Sequence, residues 1–394
     1  MHYILSDFGK TADFYPLTLS RPIALLRFGI DTIDEKWRSF LPEGIWSYQT
    51  ASHLSAFYAE APSTTEAVII NAAVIPSDTL VSAILNLKIG ERLVSGTQTI
   101  AAYRPSHFSE DLQELKAVAF DQEPVIALTH ITDLFSKLNQ LFQADYLRLT
   151  AGLESEPLHP TNTVIGKYPV FLAPGASAYA SIFNTEAGPI YLDRGAHIME
   201  GSIIRGPVAI GAHSTLKMGA KLYGPTIIGH HCKVGGEVSN VVFDSYTNKG
   251  HEGFVGNSVL GQWCNLGADT NTSNLKNNYD QVKLYSYTTK RFEPTGLQFC
   301  GLIMGDHSKS GINTMFNTGT VVGFSSNLFG AGYIRNFVTN FTWGGPQGTS
   351  IYLLDKAKET AERVMARRDV TFDNRQHELF QAIYDLTVSG DEGK

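Results

Sequence analysis

Between residues 192 and 238 an aliphatic side chain returns every six positions: Leu192, Ile198, Ile204, Ile210, Leu216, Leu222, Ile228 and Val234. Four residues after each stands a small or β-branched one: Ala196, Ser202, Val208, Ser214, Ala220, Thr226, Cys232 and Val238. An amphipathic helix repeats near 3.6 residues and a half-buried strand every second residue, so neither explains a period of six. A three-sided solenoid does. Each six-residue step supplies one flat face and one corner, the aliphatic residue points inward, and three steps close a coil. Hexapeptide periodicity therefore predicts a parallel β-helix.

The repeat has a history along the chain. A looser hexad, Leu172 with Ala176, precedes it. The phase breaks after Val234 and resumes at Phe254, Leu260 and Leu266. Residues 272–300 interrupt it again. A third run follows at Met304, Ser310, Phe316, Val322 and Leu328, with Ser308, Thr314, Thr320 and Ser326 in the corner position. Each interruption predicts a loop leaving the solenoid, and in solenoids such insertions collect on one face, often the binding face.

Residues 1–155 are patterned differently. Tyr3–Leu5 and Val68–Ile70 read as strands, the second ending at Asn71; 124–128 reads as a further strand. Residues 79–87 and 131–142 carry helical apolar spacing. Alternating strands and helices predict a Rossmann-like α/β domain with a mostly parallel sheet. The polar, proline-containing stretch 156–167 reads as a linker, the β-helix as 168–345, and 346–394 as a helical tail. In the tail Leu354, Ala357, Ala361, Val364 and Met365 share one helical face, and Leu379, Phe380 and Ile383 suggest a second helix. A cap over the open solenoid end is the expected role.

Composition narrows the partners. At 394 residues the chain exceeds one core, and 43% hydrophobic with 18% charged residues fits a globular protein. The net charge of −7 argues against nucleic acid or an anionic membrane as partner, but not against a small anionic substrate. Cys232, Cys264 and Cys300 lack metal-type spacing and form no disulfide framework; Cys232, in a corner, is expected packed and reduced. No basic-then-apolar leader opens the chain and no apolar run reaches membrane-spanning length, so the cytoplasm is the expected location.

Candidate chemistry sits at the first break. Asn248-Lys249-Gly250-His251 and then Asn265-Leu266-Gly267-Ala268-Asp269-Thr270-Asn271-Thr272-Ser273-Asn274 are poor β-helix filling. Histidine is the natural base near neutral pH, and amides can position a sugar or a thioester carbonyl. His213, His230 and His231 lie inside the strict repeat without such company and are not expected to be catalytic.

This stretch resembles the acyltransferase half of the bifunctional N-acetylglucosamine-1-phosphate uridyltransferase/glucosamine-1-phosphate acetyltransferase family, which reads roughly KAGH…IGxxxNIGAGTxTCN. The resemblance spans about residues 165–345. It implies a left-handed β-helix, a homotrimer and acetyl-CoA as acyl donor. His251 then corresponds to the general base and Asn274 to the family's active-site asparagine, with Asn248, Lys249, Asn265, Asn278 and Tyr279 as substrate-binding candidates. Phe254 stands where the family has tyrosine, Ser239 where it has lysine, and Leu275 where its Asn-Tyr pair continues, which leaves the acceptor open. The segment DFYPLTLSRPIALLRFGIDTIDEKW (residues 13–37) resembles the divergent nucleotidyltransferase domain of a bacterial subgroup of these enzymes, although the usual glycine-rich loop after the first strand is absent. Arg21, Arg27 and Lys36 become candidates for binding triphosphate and sugar phosphate. Asn71 and Asp7 lie at strand ends, where α/β sites form, with Asp7 a candidate Mg²⁺ ligand. The implied activities are acetyl transfer to an amino-sugar 1-phosphate and its coupling to UTP or another nucleoside triphosphate. A nucleotidyltransferase using the solenoid only to trimerise, and a non-catalytic sugar-binding trimer, are the alternatives.

Overall fold

The computed structural model describes residues 1–58, 66–106 and 111–388; the last six residues of the expected tail lie outside these. Contacts divide the chain into two compact units, Met1–Phe14 with Thr18–Ile131, and Tyr15–Leu17 with Thr132–Lys394. The first unit therefore ends well before residue 155, and 132–150 packs with the second.

In the first unit β1 (His2–Ser6), α1 (Ile33–Phe40), β2 (Ile45–Gln49), β3 (Ala67–Asn71), α2 (Asp78–Leu85), β4 (Glu91–Ser95), β5 (Gln98–Arg104) and β6 (Lys116–Ala119) build one six-stranded sheet in the order β2-β1-β3-β5-β4-β6. β1 pairs parallel with β2 and β3, and β4 with β6. β5 runs antiparallel to both β3 and β4. The sheet is thus mixed. The reason is a hairpin whose turn contains Gly96, with φ +57°, which reverses the chain without a crossover helix. Residues 124–128 form only a bridge, Val74 to Ala127, rather than a strand. α1 starts at a capping box: the Thr32 hydroxyl accepts from Glu35 N, and Glu35 reaches back to Thr32 N. It buries Trp37, whose Nε1 donates to the Val74 carbonyl at 2.8 Å.

The second unit contains α3 (Leu138–Thr150), preceded by a single helical turn at Asp133–Ser136, and continues into a parallel β-helix. Its first strand, Thr163–Ile165, already lies in the stretch expected as linker. Three faces alternate. The first is represented by Thr226–Ile228, the second by Lys233–Val234, the third by Lys221–Tyr223. Ile190–Leu192 pairs with Val208–Ile210, which pairs with Thr226–Ile228, so a coil takes 18 residues, three steps of six. Every aliphatic residue of the strict hexad is buried, and so is every small residue four positions later, including Cys232 and the hydroxyls of Ser202, Ser214 and Thr226. The corner residue must be small because it too points into the narrow interior.

The first phase break is not an ejected loop. Ile228 pairs with Phe243, only 15 residues on, and Phe243 with Leu260. The chain stays on the solenoid but shortens its coil, and strands Glu237–Phe243 and Phe254–Leu260 each run through a corner held by one residue, Asn240 at φ +57° and Asn257 at φ +47°. The second break is a true excursion. It carries an antiparallel hairpin, Lys283–Ser286 with Arg291–Pro294, packed on the first face through Tyr285 stacked on Phe337 at 3.6 Å.

The tail forms α4 (Leu354–Ala366) and α5 (Asn374–Thr387). It does not simply plug the open end. Phe380 of α5 enters an aromatic cluster with His307, Phe324 and Phe341, and Arg368, just after α4, donates to Asn248 Oδ1 at 2.8 Å. The tail thus runs back along the flank of the β-helix. Among the described residues no helix is long and apolar enough to cross a membrane.

The inward register can be tested with neighbours in one strand. Leu222→Ala should lower unfolding free energy by about 2–5 kcal/mol. Lys221→Ala, which removes only an exposed ion pair to Glu252, should cost less than about 1 kcal/mol. Denaturant titration measures both, and equal losses would contradict the register.

Candidate active site

The second face carries the site because its outward row departs from the repeat. The residue before each inward position points outward, and pairing places Thr215, Lys233, Asn248, Asn265 and Lys309 in succession. Adjacent rungs of a parallel ladder lie about 4.8 Å apart, so cation, amide, amide and cation form one column. A cavity of about 680 Å³ lies over it. The corner after the second face contributes Gly250, His251, Gly267, Ala268 and Ile312; the tail contributes Val364, Arg367 and Arg368.

The opposite wall comes from the corner between the first and second faces. There one residue per coil adopts left-handed backbone: His213, His231, Tyr246, Trp263 and His307, at φ +57° to +61°. Their rings stack in sequence at 5.1, 4.8, 4.1 and 6.1 Å between centroids. Tyr246 and Trp263 of this ladder line the cavity. His213 and His231 are thus held by stacking, and burial followed by the charges of His213, His230 and Arg368 lowers the His231 pKa. His230 lies outside the ladder, its Nδ1 accepting from Ala212 N at 3.1 Å.

Electrostatically the cavity is one-signed. Lys217, Lys233, Lys309, Arg367 and Arg368 line it, and no carboxylate is among the lining residues. Arg368, then burial, lowers the Lys233 pKa, as expected where cations crowd. Burial pushes Lys309 down to about 8, while its Nζ donates to the His307 carbonyl at 2.7 Å. A basic cavity in a chain of net charge −7 is suited to a polyanion.

His251 is exposed at the edge of this cavity, and no hydrogen bond to its ring is found among the described residues. Asn248 and Asn265 line the cavity as expected of binding residues. Lys249 does not. It occupies the inward register of Val234, is 1% exposed, and its Nζ donates to the His251 carbonyl at 2.6 Å. Burial, reinforced by Lys221 and opposed by Glu252 and Asp269, pushes its pKa down to about 8.

Asn274 follows the third-face strand Asn271–Thr272. It lies beyond the third face, where its Nδ2 donates to Asn257 Oδ1 at 2.7 Å. With the Asn240 amide turned so that its oxygen accepts from Asn257 Nδ2 at 2.8 Å, Asn240 donates to the Phe135 and Pro225 carbonyls. Asn240, Asn257 and Asn274 therefore form an amide ladder that seals one corner. Asn278 and Tyr279 are exposed on the excursion, away from the cavity.

The first unit places its candidates at the carboxyl ends of β1 and β3 and in the segment that follows β1. Asp7 is buried and accepts from Thr11 Oγ1 at 2.8 Å, Thr50 Oγ1 at 2.7 Å and Ile23 N at 3.0 Å. Burial raises its pKa to about 6, against the lowering effect of those bonds. Both Asp7 oxygens are engaged by its own chain and tie the segment after β1 to Ile23 and Thr50. No group of three or more His, Cys, Asp or Glu that could hold a metal occurs among the described residues. Arg21, Arg27 and Lys36 are all buried rather than surface cations. Arg27 Nη1 donates to the Ile30 carbonyl while its buried Nε has no partner. Asn71 is a turn former, its Oδ1 accepting from Ala73 N at 3.0 Å. The three cysteines are buried and form no disulfide among the described residues.

Sequence reasoning missed Lys217, Lys233, Lys309, Tyr246, Trp263, Arg367 and Arg368. For Lys233 and Lys309 the available signal was their place immediately before an inward position, in one column with Asn248 and Asn265.

Residues 3–154 match the sugar nucleotidyl transferase family model. The bifunctional protein GlmU of Methanocaldococcus jannaschii is 37% identical over 87 residues, covering 22% of this chain and 21% of that protein. The protein of the same name from Methanococcus maripaludis is 35% identical over 92 residues, 23% and 21% of the two chains. The chain thus spans about a fifth of the length of these relatives. Among solved structures, a putative acetyltransferase of Bacillus cereus is 13% identical with a TM-score of 0.26, covering 53% of this chain and 96% of that one. The UDP-N-acetylglucosamine acyltransferase of Arabidopsis is 13% identical with a TM-score of 0.22, covering 58% and 92%. Residues 3–154 thus match the sugar nucleotidyl transferase family, and a parallel β-helix with six-residue periodicity follows them in the chain.

Proposed function

We propose that this chain is a bifunctional transferase that builds a nucleotide-activated, N-acetylated amino sugar. The observation that carries the acyl-transfer half is the cavity: an accessible His251 ring beside a groove lined by five cations and no carboxylate. Acetyl-CoA offers phosphates for Lys217, Lys233, Lys309, Arg367 and Arg368, and a long apolar arm for Ile312 and Val364. The acceptor amine attacks the thioester carbonyl directly. His251 takes the amine proton as the N–C bond forms; the C–S bond then breaks and coenzyme A leaves as thiolate. Backbone N–H groups of the Gly267 corner are the candidate donors to the tetrahedral oxyanion.

Support for the nucleotidyl half is of another kind. The family match covers the first domain, and that domain buries Arg21, Arg27 and Lys36. In this reading UTP is the nucleotide and glucosamine 1-phosphate the acetyl acceptor. Mg²⁺ is retained only as the counter-ion a triphosphate brings, and no step is derived through it. The homotrimer belongs to the same reading. Ile182 and Ile203, paired on the third face, are exposed apolar neighbours, which supports an assembled form.

Wild-type protein should transfer acetyl from acetyl-CoA to glucosamine 1-phosphate and release pyrophosphate from UTP with N-acetylglucosamine 1-phosphate. His251→Ala should lower acetyl-transfer kcat by about 10²–10⁴-fold and leave pyrophosphate release unchanged. No acetyl transfer by wild type across amino-sugar phosphates would sink the bifunctional reading.

Lys309 sets a pH dependence. Its ammonium is charged below about 8 and neutral above, so the KM for acetyl-CoA should rise as pH passes from 7 to 9. Lys309→Arg keeps its charge throughout and should flatten that rise. Parallel KM–pH curves for the two proteins would show that Lys309 does not face the anion.

A further inference from the structure

Lys249 stands where the β-helix asks for an aliphatic residue. Its register partner one coil earlier is Val234 and the following coil has Leu266 at the inward position. An ammonium in such a core lowers stability relative to a hydrocarbon of similar volume unless its partners compensate. The partner found is a single backbone oxygen, the carbonyl of His251, at 2.6 Å. The surroundings are shaped to admit it. Gly236 of the preceding coil is at φ +69°, and a Cβ there would fall 2.8 Å from Lys249 Nζ, from the His251 oxygen and from the Gly253 oxygen. A glycine at left-handed φ beside a buried ammonium and two carbonyls makes a fitted seat rather than a tolerated accident.

The seat fixes the corner that presents His251. Gly250 and Gly253 flank His251-Glu252; a Cβ on Gly253 would fall 2.2 Å from the Thr270 oxygen and the Gly253 carbonyl accepts from Glu237 N at 3.2 Å, whereas a Cβ on Gly250 would meet nothing within 4 Å, so the turn is loosely packed on its Gly250 side. What holds it on the inner side is Lys249, with Asp269 N donating to the Glu252 carbonyl at 3.0 Å on the outer side. The imidazole itself has no hydrogen-bonded orienter among the described residues, so backbone placement decides where it points.

We propose that Lys249 is a positioning residue, an internal strut that fixes the His251 corner from inside the β-helix at the expense of core stability. It touches no substrate and acts through the His251 carbonyl. The proposal rests on His251 being the base for acyl transfer, and its test separates the two. Exchange of a buried charge for a hydrocarbon of similar length leaves stability equal or higher, so Lys249→Met should unfold at the same or a higher denaturant concentration than wild type. The same variant should lose at least tenfold in acetyl-transfer kcat with KM for acetyl-CoA within twofold of wild type. Amide hydrogen exchange at residues 250–253 should be faster in the variant and unchanged elsewhere on the second face. Unchanged kcat, or unchanged exchange at 250–253, would overturn the strut. Lower stability together with a raised KM would overturn it as well, because that is a plain packing role. If Lys249→Met does not fold, Lys249→Leu, the residue found at the next inward position, is read by the same criteria, and failure of both to fold overturns the proposal. An inactive wild type with faster exchange in the variant would sink the base assignment and leave the strut standing.

Discussion

The β-helix turns from its first face to its second through one residue in the left-handed conformation, coil after coil. Gly175, Gly195, His213, His231, Tyr246, Trp263, His307, Ser325 and Phe341 all occupy this position. A side chain there costs about 1–2 kcal/mol in backbone strain, which explains the glycines of the early coils. From His213 to His307 the cost is offset by stacking, because parallel coils bring equivalent positions within ring-contact distance. The same geometry that forces the turn therefore builds a continuous aromatic wall. The cavity exists because this wall and the His251 corner flank a face only two residues wide.

A repeat makes function local. Wherever the pattern is obeyed, each residue is accounted for by the interior or by its neighbours above and below. Function enters through substitutions that keep the backbone and change the side chain. Lys233 and Lys309 replace nothing structural on the outward column; Lys249 replaces an aliphatic residue on the inward one. Arg367 and Arg368 reach the same column from the tail, so the β-helix alone would leave the basic cavity open on one side. Stability and chemistry are separated along one axis, with the apolar filling inside and a charged column outside.

The hexad of Leu192 to Val234 was legible because a single physical demand, a small aliphatic interior, acts at every sixth residue. The break after Val234 was misread as a loop because a coil can also shorten to 15 residues when Asn240 replaces a longer corner, and nothing in apolar spacing separates the two. His251 was legible from local residue type. Asn274 was not, since its amide is claimed by a ladder with Asn257 and Asn240, 17 residues apart each, whose register only the folded coil reveals. Lys249 was assigned to substrate for the same reason: an ammonium two residues from a histidine gives no sign of pointing inward. In the first unit Asp7 was hidden by partners far along the chain, Ile23 and Thr50.

The central claim is that an acyl donor with several phosphates lies across the second face of the β-helix with its reactive end at His251. A crystal structure of the full chain with acetyl-CoA bound tests it most directly. The expected result is the phosphates among Lys217, Lys233, Lys309, Arg367 and Arg368, and the thioester carbonyl within reach of the His251 ring. Acetyl-CoA bound elsewhere, or an empty cavity at saturating acetyl-CoA, would contradict it.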